Sequence, residues 1–304
     1  MTLDTFDDAR LASATPGTIG ASLELGNIVY FPRCPIPLAS DADMDALRES
    51  LPKQLKLKNV SFHPEAGHVR GIEKDASLYP LAERVLKGHS DQVATFLADV
   101  MPELVAGGVT GTSSFRPIQE KGRNLKPHAS NELIHIDAGA YGATNGDRIL
   151  RFFVNVNPHE DRVWATKGLL PDLLERYGEA SGVIVPGQPA ALSKGPLDHL
   201  RSGLISLLCK MGLPLASVLD SSPYDRLMRK FHNFMKDTPA FQRDPVGHEE
   251  IRFPPGSAWM VLTDVVSHAS LSGQHALVHT SLVPLENCRH PEMAPINIIK
   301  AATA

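Results

Sequence analysis

Cysteine is scarce. Three residues in 304 (Cys34, Cys209 and Cys288) lie far apart with no CxxC pair, which argues against a disulfide framework or a thiolate metal site and fits a reducing compartment. An excess of one charge is also missing. Thirty Lys and Arg face thirty-four Asp and Glu, a formal net charge of −4, whereas a nucleic-acid-binding module should be strongly basic; no nucleic-acid partner is expected. No apolar run approaches the ~20 residues that cross a bilayer. The opening MTLDTFDDARLASATPGTIGAS has acids near Met1 and no apolar stretch, so it does not read as a secretory signal. A cytoplasmic protein is expected. What remains is an ordinary globular composition, 42% hydrophobic and 21% charged, which excludes wholesale disorder.

Residues 1–22 are small and polar without periodicity and read as a flexible arm, followed by one domain over 23–304. GNIVYFP (26–32) is a short β-type run. DADMDALRESL (41–51) is helical, with Asp41 as the expected N-cap. From Leu81 to Leu104 apolar residues recur at spacings of three, four and seven, so one or two amphipathic helices complete a helical buttress over about 40–106. From Thr110 the texture is β-rich and punctuated by Gly, Asn, Asp and Pro (VTGTSSFRPIQ, ELIHIDAG, ILRFFVNVNP, RVWAT). Helical segments return over about 169–240, and EEIRFPPG, AWMVLTDVV and HALVHTSLVP are again β. Two β blocks around a helical insert predict a mainly β fold with flanking helices. Its core, over about 107–286, is expected to be a double-layered antiparallel barrel or jelly roll.

The sharpest local signal is His135-Ile136-Asp137. Residues two apart in a strand share a face, so an imidazole and a carboxylate project together and supply two of the three ligands of a non-haem Fe(II) facial triad. The third should be a histidine from a distant strand. FPPGSAWMVLTDVVSHASLSGQHALVHTSLVP offers His268, His275 and His279. His268, at the end of the first strand of that stretch, is the favoured ligand, and the other two read as packed or solvent-facing strand histidines. An aspartate in the second position leaves no site for chloride, which argues for hydroxylation rather than halogenation.

IHIDA, GDRILRFFVNVNPHEDRVW, SPYDRLMRKFHNFMKD and FPPGSAWMVLTDVVSHASLSGQHALVHTSLVP, in this order, resemble the 3-deoxy-D-manno-oct-2-ulosonic acid (Kdo) hydroxylases, Fe(II)/2-oxoglutarate dioxygenases acting on the inner sugar of lipopolysaccharide. Weaker similarity runs upstream through SSFRP and GNIVYFP. The resemblance implies a double-stranded β-helix (jelly roll, cupin-like) fold. It implies His135, Asp137 and His268 as iron ligands, and Fe(II), 2-oxoglutarate and O2 as metal and cosubstrates. The implied reaction hydroxylates C3 of Kdo to give Ko, with release of succinate and CO2. Two stretches depart from the family pattern, DAGAYGATNGD after the HxD motif and LVHT near the end.

The distal carboxylate of 2-oxoglutarate calls for an arginine, whose planar fork binds carboxylates bidentately. The strand after His268 has none, so Arg148 and Arg151 are the candidates. They differ by three positions and so face opposite sides; Arg151 is preferred because it shares parity with Phe153 and Asn155. Asn155 and Gln274 could add hydrogen bonds. An anionic or lipid-linked sugar needs further contacts at the mouth, for which Arg116, Arg162 and Tyr141 are the candidates. Such a substrate implies peripheral contact with the inner membrane; no protein partner is implied. Competing readings are a diverged 2-oxoglutarate hydroxylase of another small molecule and a non-catalytic cupin-like sugar-binding protein. A zinc hydrolase is disfavoured, because no glutamate is spaced as a general base.

Overall fold

The computed structural model describes residues 1–123, 125–139, 143–210 and 220–304. Among them the strands are β1 (Leu3–Thr5), β2 (Ile28–Phe31), β3 (Val60–His63), β4 (His68–Arg70), β5 (Val109–Arg116), β6 (Arg148–Asn155), β7 (Arg162–Thr166), β8 (Glu249–Phe253), β9 (Ala258–Leu262), β10 (Ala269–Ser272) and β11 (Ala276–Val283). The helices are α1 (Asp8–Ser13), α2 (Thr18–Glu24), α3 (Asp41–Ser50), α4 (Tyr79–Val100), α5 (Pro102–Val105), α6 (Leu170–Tyr177), α7 (Pro196–Lys210), α8 (Pro223–Asp237), α9 (Pro239–Arg243) and α10 (Pro295–Ala302).

One sheet has the order β1-β2-β9-β6-β11-β5-β3-β4 and a second the order β10-β7-β8. This is the sheet-rich, helix-flanked double-stranded β-helix core that the sequence predicts. β9, AWMVL, is buried at every position, as a strand covered on both faces must be. β6 divides its side chains between two packing layers. Phe152 meets Phe96 of α4, ring centroids 5.9 Å apart. Its neighbour Phe153 points between the sheets, 4.8 Å from Trp164 and 5.1 Å from Trp259. With Phe253, stacked 3.8 Å from Trp259, these rings form an aromatic floor.

Two segments differ from the sequence reading. Residues 1–22, taken as a flexible arm, hold β1, α1 and most of α2, which runs on to Glu24, and β1 pairs parallel with β2. Phe6 is buried and Asp7 caps α1 by accepting from the Arg10 amide. The segment is too short for periodicity, so its order comes from tertiary contacts. The helical buttress also contains a hairpin, β3–β4, which extends the sheet beyond β5. The α4 prediction meets Tyr79–Val100, closed before Pro102.

The helical insert carries α6 to α9 between β7 and β8. α8 starts with a capping box, in which the Ser222 side chain accepts from the Asp225 amide and the Asp225 carboxylate accepts from the Ser222 amide, satisfying two orphan donors at once. No described helix is long and apolar enough to cross a membrane.

Candidate metal centre

His135 lies in an extended segment joined to His268 by one antiparallel bridge. The His135 amide donates to the His268 carbonyl at 3.0 Å, and the His268 amide returns the bond at 2.8 Å. Asp137 follows, its amide donating to the Thr263 carbonyl at 2.9 Å. His268 stands one residue before β10, after the turn that closes β9, rather than at the end of the first strand. The two-residue spacing and this bridge bring one ligand atom each of His135, Asp137 and His268 within 4.8 Å of one another, all three residues buried. His135 Nε2 is 3.7 Å from Asp137 Oδ1, and His268 Nε2 is 4.0 Å from Asp137 Oδ2.

Both imidazoles are oriented by the chain that carries them. His135 Nδ1 donates to the Leu133 carbonyl at 2.7 Å and His268 Nδ1 to the Val266 carbonyl at 3.0 Å. The proton on Nδ1 leaves each Nε2 as the free lone pair, an arrangement that fixes the tautomer of ligating histidines. Trp164 stacks on the His268 ring at 5.3 Å. Burial drives the His135 pKa well below its ordinary value and that of His268 down to about 4, so both rings are neutral at physiological pH. Burial would raise the Asp137 carboxyl, but Arg151, with His268 and His135 beside it, holds it far below the usual carboxylate range. Two neutral imidazoles and one carboxylate on one side of an open cleft are the donor set of a facial triad, and they fit a ferrous ion.

The cleft, about 360 Å³ with its open mouth, is lined by the three residues together with Arg116, Asn131, Arg151, Phe153, Trp164 and Ser270. Arg151 Nε donates to Asp137 Oδ2 at 2.8 Å and Nη1 to Thr280 Oγ1 at 3.3 Å. Around the same cleft Arg116 Nε, Trp164 Nε1 and Ser270 Oγ are buried without partners. Unsatisfied buried donors are costly, and three facing one cleft fit an anion that accepts from them.

Other candidates from the sequence lie elsewhere. Arg148 does face away from Arg151: fully buried, it makes a two-bond pair with Asp264, Nε to Oδ2 at 2.7 Å and Nη2 to Oδ1 at 3.1 Å. Arg162, read as a mouth residue, is fully buried against Glu120 and the Gly273 carbonyl. Gly273 takes φ 110°, and a Cβ there would meet Arg162 Cα at 3.0 Å, so only glycine turns the chain so close to this arginine. Asn155 donates to the Glu160 and Phe253 carbonyls, which ties loops together and leaves its amide turned from the cleft. Gln274 does not line the cleft. Tyr141 lies outside the described residues. Neither His275 nor His279 joins the cluster: His275 stacks on Phe115 and His279 bonds Ser113 and Ser281.

Sequence reasoning missed the residues that hold this segment from the insert. Gln242, His232, Lys236 and Asp225 all bond to backbone between residues 128 and 145. Asp225, His232 and Lys236 lie in SPYDRLMRKFHNFMKD, singled out in the sequence with no role assigned, and Gln242 lies beyond it in α9.

A family model described as 3-deoxy-D-manno-oct-2-ulosonic acid (Kdo) hydroxylase matches residues 8–304. Three solved structures share the fold over 99% of this chain, all of the Kdo hydroxylase KdoO, a non-haem Fe(II) α-ketoglutarate-dependent dioxygenase. The complex with α-ketoglutarate and Fe(III) has TM-score 0.79 and 24% identity and is covered over 96% of its length. The cobalt(II) complex has TM-score 0.79 and 25% identity, and the complex with succinate and Fe(III) has 0.75 and 25%, each covered over 95%. No curated protein sequence matches the chain.

Proposed function

Because the chain belongs to the Kdo hydroxylase family, whose solved members are Fe(II)/2-oxoglutarate dioxygenases, we propose that it hydroxylates C3 of Kdo in the lipopolysaccharide inner core, giving Ko. The iron ligands in this reading are His135, Asp137 and His268, and their convergence is the observation that carries it. Iron and 2-oxoglutarate, when bound, supply the O2-dependent oxidative decarboxylation to succinate and CO2 that drives hydroxylation. The chain's own residues bind, orient and exclude water. The aromatic floor of Phe153, Trp164 and Trp259 keeps the inner side of the cleft dry. Arg151 keeps Asp137 ionised and aimed.

Arg116 is the better anchor for the distal carboxylate of 2-oxoglutarate. Its Nε lacks a partner, Ser270 Oγ lies unpartnered on the same cleft, and Arg151 is already engaged. The surroundings suit anions in general. Lys58, Arg116, Arg123, Arg151, Arg162 and Lys236 stand around Glu120 and Asp137, and burial, with those cations nearby, brings Lys58 down to about 8. A sugar acid and a dicarboxylate both gain from that field. A lipid-linked substrate would bring the protein to the membrane surface.

Anaerobic addition of Fe(II) and 2-oxoglutarate to the metal-free protein should produce the visible charge-transfer band of the chelate. Incubation with Kdo-containing glycolipid should then give succinate and a product heavier by one oxygen. A band without turnover on glycolipid, but with turnover on another sugar acid, would move the substrate assignment and keep the chemistry. Absence of the band with iron bound would remove the cosubstrate.

Arg116→Met is expected to raise the KM for 2-oxoglutarate by about 10- to 100-fold, the worth of one charge-assisted hydrogen bond. Iron affinity should stay unchanged. If Arg151→Met raises that KM and Arg116→Met does not, the anchor is Arg151.

A further inference from the structure

Among the described residues, the segment that carries His135 and Asp137 has a strand neighbour on one side only. Inward, His135 exchanges two backbone bonds with His268. Outward, where a second strand would pair, the backbone groups go to side chains of the insert. The Ile134 amide donates to Gln242 Oε1 at 3.0 Å, and Gln242 Nε2 donates back to the Ile134 carbonyl at 2.9 Å. One primary amide thus reproduces the donor and acceptor pair of a strand residue. The same Nε2 donates to the Met235 carbonyl at 2.8 Å, which fixes Gln242 to the end of α8. Two residues along, His232 Nδ1 donates to the Ile136 carbonyl at 2.7 Å, its ring perpendicular to that of His135 with centroids 5.0 Å apart.

We infer that Gln242 and His232 are positioning residues for the metal centre, surrogates of the missing strand that set the register in which His135 and Asp137 meet His268. This rests on the iron reading given above and extends it to the insert, which then forms part of the site. The reason is geometric. A slip of one residue in a strand turns every side chain to the opposite face, and the inward bonds of His135 to His268, Asp137 to Thr263 and Asn131 to Ser270 hold one edge of the segment only. Gln242 engages both polar groups of Ile134, the residue before the first ligand, so a slip would leave the Ile134 groups and the Gln242 amide unsatisfied. His232 fixes the peptide between the two ligands.

Gln242→Leu removes the surrogate pair. In the metal-free protein the Ile134 amide should then exchange with solvent faster. Fe(II) should bind about 10- to 100-fold more weakly, the usual effect of losing a partner behind the ligands. The charge-transfer band with 2-oxoglutarate should shift or broaden. Gln242→Glu, which keeps the acceptor for the Ile134 amide and loses the donated bonds, should fall between, and it is the variant to use if Gln242→Leu does not fold. Phe241→Leu, which only thins the packing of α9, should lower Tm and leave iron affinity intact. Faster Ile134 exchange with Fe(II) affinity and band unchanged within about twofold would overturn the positioning role alone. A wild-type protein that binds no Fe(II) would overturn the iron reading as well.

Discussion

Asp137→Ala is expected to weaken Fe(II) binding by roughly a thousandfold, as for the loss of one strong ligand of three worth about 4 kcal/mol, and to abolish hydroxylation. It should do so without unfolding the protein. The Asp137 backbone bond to Thr263 survives truncation, and Arg151, left without its partner, keeps Thr280 and a partly exposed side chain. Anaerobic metal titration of the variant, beside a thermal melt of the metal-free form, separates the two effects. Unchanged iron affinity would take this carboxylate out of the centre. The same electrostatics fixes the pH dependence of the wild type. Asp137 has its pKa lowered in the folded state, so it contributes stability above the ordinary carboxylate range and loses it only as pH falls below that range. His268 takes a proton near 4. Protons therefore compete for the ligands only in acid, and Fe(II) affinity should be flat between about pH 5 and 8.

Arg148→Met should cost about 3–5 kcal/mol of unfolding free energy, because it leaves Asp264 as an uncompensated carboxylate in the interior. Arg148 is fully buried and Asp264 2% exposed, so solvent cannot take over the lost bonds. Asp264 sits in the turn between β9 and His268, which makes the pair a brace under the route to that residue. Replacing both, as Arg148→Met with Asp264→Leu, should recover most of the loss, since an apolar pair of similar volume escapes the desolvation cost. Denaturant titrations of the two variants provide the comparison. Burial raises the Asp264 pKa. A group raised in this way stabilises the fold below its unfolded value and withdraws that stability as pH rises. The deficit of the single variant should therefore be larger at neutral pH than in acid. A loss below about 1 kcal/mol, the worth of a surface pair, would show that the pair braces nothing.

The site was legible where chemistry follows chain periodicity. Two-residue spacing put His135 and Asp137 on one face. The three-residue spacing of Arg148 and Arg151 put those two on opposite faces, and the structure places Arg151 at the cleft and Arg148 behind it. The order of the β-rich segments around the insert announced the two-sheet core. What escaped was everything carried by a side chain reaching a distant backbone group. Gln242 meets Ile134 across 108 residues, and Asp225 meets the Thr144 amide across 81; neither bond imposes a period on the sequence. Arg162 read as a substrate contact at the mouth because its buried partner Glu120 sits 42 positions away. The β3–β4 hairpin was missed because its strands are four and three residues long, too short for alternation to register.

The sheet order also governs how the molecule is made. β2 pairs with β9, β6 lies between β9 and β11, and β5 pairs with β11, so the N-terminal groups β1–β2 and β4–β3–β5, each paired within itself, join one sheet only when β9 and β11 arrive. Such non-local pairing slows folding and leaves apolar edges open during synthesis. The proposed metal centre inherits this schedule. His135 and His268 come together only as the strands beyond the insert dock, so in the iron reading the donor set is complete only once the segment around residue 268 has been made and paired.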